Sequence, residues 1–299
     1  MLTTQDLRGV IPALVTPFKQ DGQLAEDSLR KITNYVLENG VHAIMTTGGN
    51  GEFPHLLREE RERVARIVVE VVKGQVPVIA CTAACSTMET ILLTKDAEEA
   101  GADAAILIPP YYFPLNEESL YEYFVEVVAN VNLPLVIYNN PFYTGNNLSP
   151  ALIAKLAALD GIIGLKQSNS DLGQLVEVIR LTTNKFPALT GIDSQFYPSL
   201  CAGGTGIFST AACIVPRQMV ELFNAFTKGD HKTALSIHNK LQNLNRFLDY
   251  DPGYVQPCKE AMEMLGLPAG PARKPLLPLN EQQRAQIRQT LVDLGLLKA

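Results

Sequence analysis

The sequence predicts a TIM (β/α)8 barrel with a C-terminal helical extension. Eight apolar, β-branched runs alternate with amphipathic segments between residues 9 and 210, and this alternation is the signature of the barrel. The runs are nearly continuous in apolar residues, which is typical of parallel strands buried on both faces. After Pro216 only helical patterns remain. A doubly wound open sheet is the alternative, but the first turn, VTPFKQDGQL, lacks that fold's G-x-G-x-x-G fingerprint.

The predicted strands follow the apolar runs in chain order, at 9–16, 42–48, 76–82, 103–109, 133–139, 161–167, 187–192 and 205–210. Helical segments separate them. Residues 26–40 carry an apolar stripe and end at a glycine that favours helix termination. Residues 57–74 and 86–102 have the same character, and Ser86 with Glu89 forms a capping-box pattern at the start of the latter segment.

The C-terminal part reads as four helices, at 216–230, 231–249, 253–266 and 280–295. A proline-rich connector, 267–279, precedes the last helix and is predicted to be extended. We therefore expect a catalytic barrel over residues 1–225 and a helical extension over residues 226–299.

Composition excludes several classes of function. The chain has 299 residues and a net charge of −6, with a pI near 5.3 and a mean hydropathy of +0.06. No basic cluster indicates nucleic-acid binding. No signal-peptide pattern or apolar run of about 20 residues is found, so we expect no membrane contact. Five widely spaced cysteines predict reduced thiols in a cytoplasmic protein, and no Cys/His pairing predicts a metal site.

The carboxyl ends of barrel strands form the active site in this fold. These ends collect one lysine, several tyrosines, small polar residues and an aspartate. The candidate residues, in chain order, are Gly49, Asn50, Tyr112, Tyr138, Tyr143, Lys166, Ser168, Gly191, Asp193 and Ser209.

Lys166 ends the sixth apolar run, and its position suggests covalent chemistry. A lysine amine in an apolar wall is poorly hydrated, which favours the neutral form that attacks a carbonyl carbon. The resulting iminium withdraws electrons, so a neighbouring C–C bond can break or form. Proton transfer then needs a weak acid or base, and Tyr138 ends the adjacent strand. The glycine-rich turn 48–51 can aim backbone N–H groups at a carboxylate.

Each of these residues also has an ordinary structural interpretation. A strand-end lysine can extend to water, a tyrosine can simply pack at the barrel mouth, and GGNG can be a plain turn. Asp193 can cap the following helix. The catalytic hypothesis depends on their convergence at one face of the barrel.

The motifs GVIPALVTPF, GGNGEFPHL, PPYY, YNNP, GLKQS and GGTGIFST occur in order between residues 9 and 210. Together they resemble the dihydrodipicolinate synthase/N-acetylneuraminate lyase family of class I pyruvate aldolases. The resemblance implies that Lys166 forms the imine, that Tyr138 shuttles protons, and that Gly49 and Asn50 hold the carboxylate of a 2-oxo acid. It also implies that Tyr112 is lent by a neighbouring subunit of a homotetramer, and that no cofactor is used.

Several positions depart from the synthase pattern. Two threonines of that pattern are Gly49 and Asn50 here, and its substrate-binding arginine is Tyr143. Losing a guanidinium is not a conservative change. Asp193 and Ser209 resemble instead the hydroxyl-binding set of neuraminate lyase and ketodeoxy sugar-acid aldolases, although Ser194 replaces the glutamate of the lyase.

The sequence thus predicts a Schiff-base aldolase that cleaves a ketodeoxy or 4-hydroxy-2-oxo acid to pyruvate and an aldehyde. The alternatives are 4-hydroxy-tetrahydrodipicolinate synthase, which condenses pyruvate with aspartate semialdehyde, and a dehydratase that uses the same iminium. A non-catalytic barrel that binds 2-oxo acids is the alternative from another class.

Overall fold

The computed structural model of the chain describes residues 2–183, 185–249 and 253–298. Eight parallel strands form one sheet in the order β1-β8-β7-β6-β5-β4-β3-β2. The strands are β1 Gly9–Pro12, β2 Ile44–Thr46, β3 Val78–Cys81, β4 Ala104–Leu107, β5 Leu135–Asn139, β6 Ile162–Gln167, β7 Ala188–Thr190 and β8 Gly206–Ser209.

The first and second strands close the sheet into a barrel. Ala13, just after β1, forms a bridge with Met45 of β2, and the Leu14 N–H donates to the Met45 carbonyl at 2.9 Å. The prediction of a TIM barrel is therefore confirmed. Every predicted strand is present in shortened form, and one reason is visible at β2, where Thr47 takes a φ of 52° and ends the extended backbone.

Helices surround the barrel and continue after it. They are α1 Glu26–Glu38, α2 Arg58–Val72, α3 Thr87–Glu99, α4 Glu117–Asn130, α5 Pro141–Thr144, α6 Pro150–Leu156, α7 Leu172–Leu181, α8 Phe196–Cys201, α9 Pro216–Thr227, α10 His231–Asp249, α11 Val255–Met264 and α12 Glu281–Asp293. Short 3₁₀ helices cover Phe53–His55, Asp193–Gln195 and Ala211–Cys213. The boundary expected at residue 225 lies within α9. No helix of the described segments is long and apolar enough to cross a membrane.

Local sequence explains the helix ends. The Ser86 side chain accepts from the Glu89 N–H at 3.3 Å at the start of α3, as its N-cap position predicts. Gly40, with a φ of 79°, follows the end of α1.

Two buried layers hold the barrel together. Side chains such as Ile11, Met45, Ile79, Ile106 and Phe208 fill its interior, and larger apolar clusters pack the outer faces of the strands against the helices. The filled interior leaves the carboxyl ends of the strands, and the loops that follow them, to build a site.

Candidate active site

Lys166 lies near the carboxyl end of β6 and is only 5% exposed. Its Nζ atom is 3.9 Å from the Met45 sulfur, 4.0 Å from the centroid of the Tyr138 ring and 5.5 Å from that of Phe208. Its side chain forms no ion pair within the described parts of the chain. The amine is therefore held in a largely apolar and aromatic wall, and no carboxylate of the described residues pairs with it.

Tyr138 lies beside Lys166 because the β5–β6 ladder pairs these two residues. The tyrosine is 6% exposed, and its hydroxyl accepts a hydrogen bond from the Asn140 side-chain amide at 3.0 Å. Our sequence reasoning did not select Asn140, although it belongs to the YNNP motif two residues after Tyr138. The ladder thus brings a phenol and an amine together, as the strand-end reasoning predicted.

Gly191 gives the Lys166 side chain the room it needs. A Cβ atom at Gly191 would collide with the Ser168 hydroxyl and would approach the Lys166 Cε atom to 2.7 Å. The Ser168 hydroxyl oxygen is buried and has no hydrogen-bond partner among the described residues. These three predicted site residues therefore lie together, and an unpartnered buried hydroxyl lies on the same side of Gly191 as the Lys166 side chain.

The loop after β2 presents backbone donors. The N–H groups of Gly49, Asn50 and Gly51 make no hydrogen bond within the described structure. Gly51 packs so closely that a Cβ atom there would lie 3.0 Å from the Leu14 carbonyl oxygen. Successive free N–H groups in a tight turn form a concave anion site. The backbone of this loop can therefore donate hydrogen bonds to a carboxylate.

The side chain of Asn50 points elsewhere. Its amide donates to the Ala13 carbonyl at 2.7 Å and lies 3.7 Å from the sulfur atoms of both Cys213 and Cys258. The amide hydrogens therefore face the Ala13 carbonyl and the two thiols instead of a ligand. The Cys213 and Cys258 thiols thus lie beside the Asn50 side chain. Within the described ranges no cluster of three metal-ligating side chains occurs.

A buried ion pair supports the same loop from the C-terminal helices. The Lys259 Nζ atom lies 2.6 Å from Glu52, and both side chains are almost fully buried. The second Glu52 oxygen accepts the Arg273 backbone N–H at 2.8 Å. Lys259 also donates to the Thr16 carbonyl at 2.8 Å, and the Thr16 hydroxyl donates to the Gly51 carbonyl at 2.7 Å. Sequence alone did not reveal this network, since the hydrogen bonds that join its N-terminal and C-terminal members span 221 and 243 positions.

Asp193 and Ser209 face each other in the interior. The Ser209 hydroxyl donates to one Asp193 oxygen at 2.5 Å, and the other oxygen accepts the N–H groups of Thr210 and Ala211. Burial and the nearby Asp249 raise the pKa of Asp193 to about 7. Both carboxylate oxygens of Asp193 already have partners, which leaves it little capacity to bind the hydroxyl groups of a substrate.

Aromatic residues around the mouth are exposed. Tyr112 is 85% exposed, Phe142 85% and Tyr143 56%. Tyr112 has a φ of 90°, which is strained backbone for a residue other than glycine. The Asn146 side chain donates to the carbonyls of Pro110 and Phe113, and so ties the two aromatic segments together. Within one chain Tyr112 is thus exposed to solvent, whereas Lys166 is buried.

Tyr254 is a residue that the sequence analysis missed. It precedes α11, and its hydroxyl lies where a side chain at Gly49 would be. Its ring meets that of Tyr143 edge to face at 6.0 Å. Burial raises the pKa of Tyr254 well above its usual value, and nearby Tyr138 and Tyr143 raise it further. No motif marked this residue, because only the return of the C-terminal chain to the barrel mouth brings it near the others.

Known proteins are similar to this chain in sequence and in architecture. The sequence profile of the family described as "Dihydrodipicolinate synthetase family" matches residues 6–294. The 4-hydroxy-tetrahydrodipicolinate synthase of Methanothrix thermoacetophila is 40% identical over 96% of this chain and 97% of its own length. A crystal structure of a dihydrodipicolinate synthase superposes with a TM-score of 0.92 at 39% identity, covering 97% of this chain and 100% of the other.

A second solved structure is that of YagE, a prophage protein of the same family from E. coli K12, in complex with pyruvate. It has a TM-score of 0.93 at 33% identity and covers 97% of this chain and 99% of its own. The relatives' names favour the synthase alternative over our main prediction, the cleavage of a ketodeoxy sugar acid or a 4-hydroxy-2-oxo acid. The chain belongs to the dihydrodipicolinate synthase family of lyase-type, Schiff-base class I aldolases.

Proposed function

We propose that Lys166 forms an imine with the carbonyl carbon of pyruvate or a related 2-oxo acid, and that the enzyme then makes or breaks a C–C bond next to it. The carrying observation is the buried amine of Lys166, which has no ion-pair partner in the described residues and faces the Tyr138 ring at 4.0 Å. The E. coli K12 relative, crystallised with pyruvate, supports this substrate class.

The chemistry follows from the geometry. The amine adds to the carbonyl carbon and water leaves, which gives an iminium. The carboxylate of the 2-oxo acid would lie against the free N–H groups of Gly49, Asn50 and Gly51. Loss of a proton from the next carbon gives an enamine, which attacks an aldehyde. Tyr138 is suited to carry the protons, since its hydroxyl already accepts one hydrogen bond and can donate another.

The second substrate we propose is aspartate semialdehyde, which makes the enzyme a 4-hydroxy-tetrahydrodipicolinate synthase. Two relatives with this name are 39% and 40% identical to this chain, in alignments that cover nearly the whole of each relative. The hydrogen bonds of Asp193 support this choice, because both of its carboxylate oxygens already accept from Ser209, Thr210 or Ala211, which leaves little capacity to bind a polyhydroxylated substrate.

One observation favours a second candidate, the cleavage of a 4-hydroxy-2-oxo acid. Tyr143 stands where the synthase pattern carries arginine, and it packs against Tyr254. A phenol can donate one hydrogen bond to a carboxylate, whereas a guanidinium donates two and carries a charge. An aldehyde without a carboxylate would suit this wall better.

Parallel assays decide between the two reactions. One measures the condensation of pyruvate with aspartate semialdehyde, and the other measures pyruvate release from a panel of 4-hydroxy-2-oxo acids and ketodeoxy sugar acids. The proposal predicts the highest kcat/KM for the condensation. A higher value for any cleavage substrate would favour the second candidate, and no turnover in either assay, with pyruvate still bound, would indicate a non-catalytic barrel.

The assembly and setting belong to the same proposal. Exposed Tyr112, Phe113 and Phe142 form an aromatic surface at the mouth that a second copy would cover. A homotetramer in which Tyr112 reaches the neighbouring subunit's site fits this surface. Sedimentation analysis of the wild type and of Phe142→Ser tests the assembly.

The proposed reaction requires no cofactor, because the imine of Lys166 itself withdraws the electrons. The free cysteines suit a protein of the reducing cytoplasm.

A further inference from the structure

Five side-chain amides meet behind the carboxyl ends of β5 and β6. This amide cluster consists of Asn139, Asn147, Gln167, Asn169 and Gln174. Asn139 directly follows Tyr138 in β5. Gln167 directly follows Lys166 in β6, and both amides are almost completely buried. Because successive side chains of a strand point to opposite faces, these two amides face away from the barrel interior, where the phenol and the amine lie.

Gln174 joins the members of the amide cluster. Its side-chain oxygen accepts from the Gln167 amide at 2.6 Å and from the Asn169 amide at 2.5 Å. Its own amide donates to the Leu148 carbonyl at 3.3 Å. Since Gln174 belongs to α7, one helix residue ties the end of β6 to the loop that follows it and to the segment that follows β5.

The ladder that this cluster supports is irregular. The register of β5 against β6 shifts early in the ladder, where Ile163 is the extra residue of β6. The Tyr138–Lys166 pair comes after this bulge. A bulge disrupts the ladder locally, and an error of one residue in register turns every following side chain to the other face. The Asn139 amide, which donates to the Gln167 side-chain oxygen at 3.1 Å, adds a cross-strand bond directly after the pair.

We infer that Gln174 is a positioning residue, which acts through the amide cluster to hold Tyr138 in register with Lys166. This inference rests on the proposed Schiff-base function. Imine formation needs the amine and the ketone, whereas the later proton transfer also needs the Tyr138 hydroxyl within reach of the proton that it moves. A displacement of about 1 Å can slow such a step by about 10²-fold. Loss of Gln174 should therefore slow the proton transfer and leave the imine intact.

Deuterium exchange into pyruvate measures the proton transfer without an aldehyde. The wild type and Gln174→Met are incubated with pyruvate in D₂O, and loss of the methyl proton signal is followed by NMR. Borohydride trapping of the pyruvate adduct is measured in parallel. We expect Gln174→Met to exchange about 10- to 100-fold more slowly at saturating pyruvate, with unchanged trapping and an unchanged half-saturating concentration of pyruvate.

A second background separates positioning from a general loss of structure. In Tyr138→Phe, measured at a higher enzyme concentration, the hydroxyl to be positioned is absent. Gln174→Met should therefore cause no further loss of exchange in that background. Gln174→Glu keeps an oxygen that can accept from Gln167 and Asn169, so it should exchange faster than Gln174→Met.

Two further variants complete the series. Gln167→Met removes the other partner of the 2.6 Å hydrogen bond and should also slow exchange by about 10-fold or more. Gln242→Met is the matched control, because Gln242 is half-buried like Gln174 but donates to the His238 carbonyl within α10 at 3.2 Å. It should exchange like the wild type.

The opposing outcomes are distinct. Wild-type exchange in Gln174→Met or Gln167→Met, or no gain in Gln174→Glu, would overturn the inference. An equal fold loss in the wild-type and Tyr138→Phe backgrounds would also overturn it, because the loss would then not act through the hydroxyl. A fall in trapping equal to the fall in exchange would do the same. If the wild type itself traps no pyruvate, the proposed function fails, and the role of Gln174 fails with it.

Discussion

The Lys259–Glu52 pair allows a quantitative prediction of stability. Lys259→Met keeps a flexible chain of similar length but removes the charge that faces Glu52 at 2.6 Å. Removing one partner of a buried ion pair costs about 3–5 kcal/mol, because the remaining charge stays buried and unpaired. Glu52 still accepts from the Arg273 N–H at 2.8 Å and contacts His55 at 3.4 Å. We therefore expect the lower limit, about 3 kcal/mol.

Urea unfolding followed by circular dichroism measures this loss of free energy. Arg30→Met is the matched control, because the Arg30–Glu70 pair has the same 2.6 Å separation but lies at the surface. Exposed pairs of this kind are screened by solvent and contribute far less to stability than buried pairs. The double variant Glu52→Gln/Lys259→Met should recover part of the loss, since no buried charge then remains. Equal losses for Lys259→Met and Arg30→Met would refute the reasoning.

Three further variants probe the site. Tyr138→Phe should still form the pyruvate imine but lower kcat by about 10²–10⁴-fold, and an unchanged kcat would exclude Tyr138 as the proton carrier. Gly191→Ala should slow imine formation, measured by borohydride trapping, because the new methyl group meets the Ser168 hydroxyl and the Lys166 stem; normal trapping would contradict this packing. For Asp193, the raised pKa of about 7 means that the folded state holds a proton the unfolded state has lost. Wild-type stability should thus fall as pH rises from about 4 to about 7, and Asp193→Asn should lessen this fall. Urea unfolding of both proteins at pH 5 and pH 8 measures it. An equal change in the urea midpoint of the wild type and the variant would contradict a raised pKa of Asp193.

The barrel was predictable because each strand carries its own signal. A run such as GIIGLKQ is apolar on both faces, so burial on both faces follows from its composition. Lys166 and Tyr138 were predictable for the same reason, since each ends such a run and neighbouring parallel strands end at one face. The exact ends of the strands were harder to predict from the sequence, because they depend on backbone turns such as the left-handed conformation of Thr47.

Contacts between distant parts of the chain were not predictable. Tyr254 reaches Gly49 across about 200 positions, and no local pattern distinguishes it from an ordinary tyrosine that precedes a helix. The Asn50 side chain was expected to face the ligand, yet its amide donates a hydrogen bond to the Ala13 carbonyl. That outcome depends on how β1 and the loop after β2 pack together, which a single sequence does not encode in its periodicity.

The central claim is that Lys166 carries the covalent chemistry. Mass spectrometry of the wild type and Lys166→Ala after treatment with pyruvate and borohydride tests it most directly. We predict one reduced pyruvate adduct on the wild-type protein, mapped to the peptide that contains Lys166, and no adduct on the variant. An unmodified wild-type protein, or an adduct that persists in Lys166→Ala, would contradict the account.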